Sequence, residues 1–209
     1  MSAGVVQLIA IGAQDEYIMG NPEISFFSSH FKRHANFSQS TEKQTILGAV
    51  KSNSMSSVNF ERSGDLLGYV YFAADDSSQA QSIDDWRTLV DKVELLIGGS
   101  VVDSQDSTFS EKIAIDTFAQ NVSKSAMGPH PGTSSSSYFY PLRFFFCESA
   151  QSAIPLVALN YHNVELRIYW GPNASAYNIE CFANYYYIDT KERSQIFTKT
   201  HDIPITQVQ

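Results

Sequence analysis

Basic charge, cysteine and long apolar runs are all scarce in this chain. Of 209 residues, 14 are Lys or Arg against 22 Asp or Glu, giving a formal net charge of −8. A surface of that sign repels the phosphates that broad nucleic-acid contact requires, and the Lys32–Arg33 pair is too small to reverse it. The two cysteines, Cys147 and Cys181, each fall inside a strand-like run. Two thiols do not make a disulfide framework, and buried free thiols are the plainer expectation. The apolar run Val5 to Ile11 has no basic lead and is too short to cross a bilayer. The expectation is a product that stays, or is assembled, in the cytosol.

Chemistry-bearing motifs are absent too. His30, His34, His130, His162 and His201 are scattered. None sits in an HExxH, and no Cys/His spacing suits zinc, so no metal site is expected. Asp75–Asp76 and Asp84–Asp85 read as solvated loop acids, because the EF-hand spacing is missing. Gly98–Gly99 belongs to neither a GxGxxG nor a GxxxxGK loop, and no GxSxG nucleophile appears among the many serines. No catalytic residue and no cofactor is assigned.

What the chain does have is aromatic side chains. Phenylalanine (14) and tyrosine (11) are abundant, whereas charged residues make up only 17%. Aromatics favour strands and large packed surfaces, which points to an all-β chain. They track strand positions without basic interleaving, which disfavours a platform for stacking bases. In Val164 to Trp170 the residues Val164, Leu166, Ile168 and Trp170 alternate with Glu165, Arg167 and Tyr169, the pattern of a strand with one face in a core. Tyr138 to Cys147 is apolar almost throughout, as expected of a strand covered on both faces.

Further strands are expected over Phe37 to Leu47, Val58 to Arg62, Leu66 to Ala74, Tyr177 to Ile188 and Ile203 to Val208. Val93 to Ile97, Gly98–Gly99 and Ser100 to Asp103 read as a hairpin, since two glycines supply the positive backbone angles of a primed turn. Capping patterns at Ser82/Asp85 and Thr108/Glu111 predict short helices over Ile83 to Val90 and Phe109 to Val122, and Asp189 to Phe197 reads as a helical cap. Ser123 to Ser137 is the one low-complexity loop. About eight strands without βα alternation predict a single eight-stranded antiparallel jelly-roll sandwich, with short helices in the connections.

Residues 1–36, with scattered anchors at Phe26, Phe27 and Phe31 and the cluster Lys32, Arg33, His34, read as an N-terminal arm that contacts neighbours. Residues 37–209 form the roll. Asn36, Asn121 and Asn173 each head an Asn-x-Ser triplet and are candidate glycan acceptors, although chance matches are expected where no secretory signal is seen.

Several blocks carry a resemblance. Gly12-Ala13-Gln14-Asp15 with Tyr17, Gly20 to Phe27, Arg33-His34 with Asn36-Phe37, and Val93-Glu94-Leu95 with Ile97-Gly98-Gly99 resemble the major capsid proteins of the large nucleocytoplasmic DNA viruses. So do Pro141-Leu142 with Phe144-Phe145-Phe146, Ile154-Pro155-Leu156 with Tyr161-His162, and Tyr187-Ile188-Asp189-Thr190 with Glu192-Arg193. The blocks are collinear from residue 5 to beyond 200, and the likeness is strongest to viruses of algae. The resemblance implies a structural jelly-roll capsid protein of the virion shell, assembled in the host cytoplasm.

Members that build flat faces carry two rolls in about twice this length, and this chain matches the first. The expectation drawn from that difference is a penton protein: five copies closing a vertex ring, among major capsid capsomers and minor capsid proteins, without direct contact to nucleic acid or a membrane span. Three alternatives stay open. One is a minor capsid protein or the N-terminal roll of a double-roll subunit. Another is a glycan-binding jelly-roll module. The third is a double-stranded β-helix enzyme, for which no HxD or HxE pair is present.

Overall fold

The computed structural model describes residues 35–76, 79–80, 83, 85–113 and 139–208. The chain divides into two units, Met1–His34 and Ala35–Gln209, and the second is described here. Its strands are β1 (Phe37–Gln44), β2 (Ile46–Leu47), β3 (Met55–Asn59), β4 (Leu66–Asp76), β5 (Gln79–Ala80), β6 (Val90–Ile97), β7 (Ser100–Asp106), β8 (Phe139–Pro141), β9 (Ile154–Pro155), β10 (Val164–Trp170) and β11 (Asn178–Ile188). Every pairing is antiparallel.

In sheet A the order is β1-β11-β4, with β5, β8 and β9 all pairing to β4; in sheet B it is β2-β3-β10-β6-β7. Setting aside the two-residue strands β2, β5 and β9 leaves eight. They are arranged first-eighth-third-sixth in one sheet and second-seventh-fourth-fifth in the other. That order is the jelly roll.

Period-two burial makes the sandwich. Along β10 the pattern alternates without a break, burying Val164, Leu166, Ile168 and Trp170. They face Val70, Phe72, Ala74, Ile179, Cys181 and Ala183 of sheet A, all in one core cluster. The Phe72 and Trp170 rings join the two sheets at 6.0 Å between centroids. Two buried ring tips are paired: the Trp170 indole donates to Ser56 Oγ at 2.9 Å, and the Tyr185 hydroxyl donates to Gln44 Oε1 at 3.0 Å.

The β6–β7 hairpin turns on Gly98 and Gly99 at φ 61° and 83°, the primed geometry expected from the pair. In β4 one extra residue sits opposite Asn184, so both Leu67 and Val70 face the core. Gly68 occupies this bulge because a Cβ there would lie 2.6 Å from the Tyr186 ring.

Several local expectations are corrected. Strand β3 starts and ends three residues earlier than Val58 to Arg62. The Tyr138 to Cys147 strand shortens to β8, and Phe145–Cys147 is a 3-10 turn. A strand would have put every second ring on the outer face, whereas the turn buries Phe144, Phe145 and Phe146 together. The expected helix over Ile83 to Val90 is only the 3-10 turn Trp86–Thr88, and it is capped by Asp85 rather than Ser82. The described start of the Phe109 helix is a π-helical stretch, Phe109–Ile113, with Asp106 accepting from the Phe109 amide.

Asp189 does cap a helix, α1 (Thr190–Thr198), none of whose side chains is buried. Ile203 to Val208 forms no strand. Pro204 has no amide hydrogen for a ladder, and the segment is held by side-chain bonds instead.

Buried thiols are inert thiols, because burial disfavours the thiolate. Burial pushes both Cys147 and Cys181 up to about 12. Cys181, enclosed between the sheets, should not react with a disulfide reagent at pH 8 in the folded protein and should react at once in urea; a fast native phase at Cys181 would show that the sandwich is not sealed. Replacing Ser56 by Ala leaves the Trp170 N–H without its acceptor, so urea unfolding should show a loss of about 1–3 kcal/mol at unchanged m.

Candidate assembly surfaces

The outer faces of the two sheets are chemically unlike, which follows from the residues that alternate with the core positions. On β4 the outward positions include Tyr69 and Tyr71; on β11 Phe182, and on β8 Phe139, take the same side. Tyr71 stacks on Phe182 at 5.3 Å and meets Phe139 edge-on at 5.9 Å, so one aromatic band crosses three strands. Tyr69 extends the band at 6.3 Å from Tyr71 and is 42% exposed. A groove of about 410 Å³ runs beside it, lined by Tyr69, Tyr71, Phe139, Pro141, Arg143 and Cys147. Desolvation raises the Tyr71 phenol, with a smaller contribution from Tyr69, and desolvation also lowers the Arg143 guanidinium. This is the surface type in which interface anchors concentrate.

Sheet B presents charge. Glu94 on β6 is buried among Lys92 at 2.7 Å, Arg167 at 3.4 Å and the Tyr169 hydroxyl at 3.3 Å. Lys92 also lies over the Tyr169 ring, 5.6 Å from its centroid. The Lys92 hydrogen bond, helped by its charge, Tyr169 and Arg167, outweighs desolvation and holds the Glu94 carboxyl below its ordinary value.

A third region lies at one end of the roll. Asp65 accepts from the Ile188 amide at 3.0 Å and pairs with Arg193 of α1 at 3.2 Å. Its own backbone bonds Tyr186 and Val157, so one buried acid ties four segments together. Nearby Arg62 donates to the Leu159 carbonyl. Around this clip Phe197 is 57% exposed, and Tyr161 stands almost free of the body at 94%.

The residues singled out in the sequence are distributed as follows. Phe26, Phe27, Phe31, Lys32, Arg33, His34 and Asn121 lie outside the described residues. Asn36 and Asn173 are both exposed, the first just before β1 and the second in the turn after β10. His162 packs against the hairpin: its Nδ1 would be 2.6 Å from a Cβ on Gly98, and the Gly98 amide donates to Asn163 O at 3.0 Å. That is a structural role. Among the described residues no group of His, Cys, Asp or Glu could hold a metal, and no helix is long and apolar enough to cross a membrane.

The aromatic band is not legible in the sequence, since its members come from β4, β8 and β11. Tyr69 and Tyr71 at alternate positions of an otherwise apolar strand are its one local signal.

Comparison with known proteins agrees with this architecture. Residues 25–196 match the family model described as the N-terminus of the major capsid protein. The major capsid protein of Pyramimonas orientalis virus is 31% identical over 238 residues, an alignment covering 100% of this chain and 59% of that protein. That of Paramecium bursaria Chlorella virus 1 is 29% identical, covering 100% and 53%. The chain thus spans between half and three fifths of the length of these relatives. A quasi-atomic model of the PBCV-1 virus capsid superposes with a TM-score of 0.71 at 23% identity, covering 88% of this chain and 50% of the other, which shows the shared fold.

Two outcomes separate surface roles from core roles. Tyr69→Ser should leave the unfolding free energy within about 0.5 kcal/mol while weakening self-association measured by sedimentation; a large loss of stability would place Tyr69 in the core instead. For Glu94, a depressed carboxyl contributes stability that is complete above the ordinary value of 4.5 and is lost as pH falls through the lowered one. Glu94→Gln should therefore flatten the decline in melting temperature on that acid side, and an unchanged profile would remove Glu94 as its source.

Proposed function

The chain belongs to the major capsid protein family, and from that premise we propose that it is a wall-building subunit of the icosahedral shell of a large DNA virus, located in the virion. In the finer form of the proposal it is a penton: a homopentamer at the five-fold vertices, flanked by major capsid capsomers and minor capsid proteins. The relatives are capsid proteins, so the role is structural and no catalysis is assigned.

The observation that supports a ring is the unlikeness of the two outer faces, aromatic on sheet A and charged on sheet B. A two-fold dimer pairs a patch with itself, whereas a closed ring joins different patches head to tail. Five such wedges close around a vertex. Residues 1–36 serve in this reading as an arm to neighbouring subunits, with Phe26, Phe27, Phe31, Lys32, Arg33 and His34 as its contacts.

A second reading has its own support. Because the matched relatives extend well beyond the aligned region, the roll also fits the N-terminal half of a double-roll subunit. There a second roll supplies the neighbour, and three subunits give pseudo-six-fold symmetry.

Native mass spectrometry of the assembled chain separates the two. A penton gives a species at five times the 23.3 kDa chain mass, with density on the five-fold axes of the intact particle. A trimer, or density confined to the flat faces, would sink the penton form and leave the capsid role standing. Deleting residues 1–34 should reduce incorporation into particles without lowering the melting temperature of the roll.

A further inference from the structure

Sheet B ends at β7, and the outer edge of this strand is covered in an unusual way. An edge strand leaves a row of backbone N–H and C=O groups that pair readily with another chain. Three features occupy the edge here. Val102 is an extra residue between the pairs Leu95–Asp103 and Leu96–Val101, so it forms a bulge that bends the strand. Asp103 Oδ1 accepts from the Ser104 amide at 2.8 Å, taking up one outward donor. The segment 203–208 then lies alongside: Gln207 Nε2 donates to the Val102 carbonyl, and the Val208 amide donates to Asp103 Oδ1 at 3.1 Å.

The third cover is attached differently from the other two. It makes no ladder with β7. Ile205 is 49% exposed, and Thr206 and Gln207 are exposed. A cavity of about 610 Å³ is lined by Thr206, Gln207 and Val208 together with Gln105, Phe109, Arg143 and Glu148, so the end of the segment borders open space, whereas Ile203 at its head packs against the core. The preceding helix α1 contributes no buried side chain to anchor it. Asp103 itself is fixed from within, since Oδ2 accepts from Gln105 Nε2 at 2.8 Å and that amide also donates to Arg143 O at 3.0 Å. The latch is rigid and the strap is light.

We propose that residues 204–208, hinged on the core-packed Ile203, form a detachable strap, latched by Asp103, that keeps the β7 edge from pairing with a second copy of this chain until the strap lifts. The proposal rests on the reading of the chain as a self-assembling shell subunit. Lifting breaks the two strap bonds and leaves the eight-stranded roll intact, because neither bond belongs to a sheet ladder.

The test removes the strap's own donors and leaves Asp103 in place. Val208→Pro deletes the amide, and Gln207→Ala deletes the side-chain donor. In the double variant, proteolytic cleavage within residues 203–208 should quicken at least tenfold while the amides of β6 and β10 keep their exchange protection, and self-association should begin at a lower concentration. Unchanged cleavage, or unchanged association with faster cleavage, overturns the strap. Wild-type assembly is measured alongside: if it forms shell particles and the variant matches it in both readouts, the strap alone fails. If wild type forms no assembly in any form, the capsid reading fails instead.

Discussion

Contact between the two sheets, centred on Phe72 and Trp170, is the constraint from which the rest of this protein follows. Once two broad aromatic side chains must meet across the sandwich, the strands that carry them have fixed inward positions. Period two then fixes every neighbour. Trp170 inward sets Ile168, Leu166 and Val164 inward, and it leaves Arg167 and Tyr169 to build the charged outer face with Glu94. Phe72 inward puts Tyr71 outward, where it becomes the centre of the aromatic band. The two surfaces available for assembly are the complement of one core contact.

Polar groups accommodate the same constraint. A sandwich this rich in rings buries tyrosine hydroxyls and the indoles of Trp86 and Trp170, and such groups are costly to leave unpaired. Ser56 and Gln44 meet that need from strands β3 and β1. Asp65 and Asp103 do something different at the margins: each is a buried carboxylate that binds a segment outside the sheets, Asp65 through the Arg193 guanidinium and Asp103 through the Val208 amide. Asp65 holds the start of α1, and Asp103 holds the strap after it. The segment following β11 is thus joined to the roll by two acids far apart in sequence and by little apolar burial.

Features fixed by near neighbours in the chain were legible in the sequence. The Gly98–Gly99 hairpin and the alternation of β10 need only turn chemistry and a period, and both stand as read. The jelly roll followed from the strand count and from the resemblance. What could not be read depended on distant partners. Nothing local says that Phe144, Phe145 and Phe146 curl inward together, because the space they fill is made by β4. The apolar alternation of Ile203 and Ile205 looked like a strand, yet Pro204 and the absence of a receiving ladder made it a strap. Asp65 and Asp103 carried no signal at all, since an acid among polar residues looks the same whether solvated or clasped. The aromatic band likewise exists only after β4, β8 and β11 are side by side.

The position of β11 has a consequence for how the chain comes to be folded. Phe37 of β1 pairs with Ile188 of β11, and β11 in turn pairs with β4. Among the described strands of this roll, the last in chain order is therefore an interior strand of sheet A. Until it arrives, β1 has no described partner in that sheet, and β4 keeps a long unpaired edge. Such a chain closes late and through contacts of large sequence separation, which makes for slow folding and a prolonged interval of exposed edges. A ribosome making many copies close together produces a crowd of half-rolls, each lacking the same strand. How quickly residues 178–188 find the gap left for them sets how long those edges stay open.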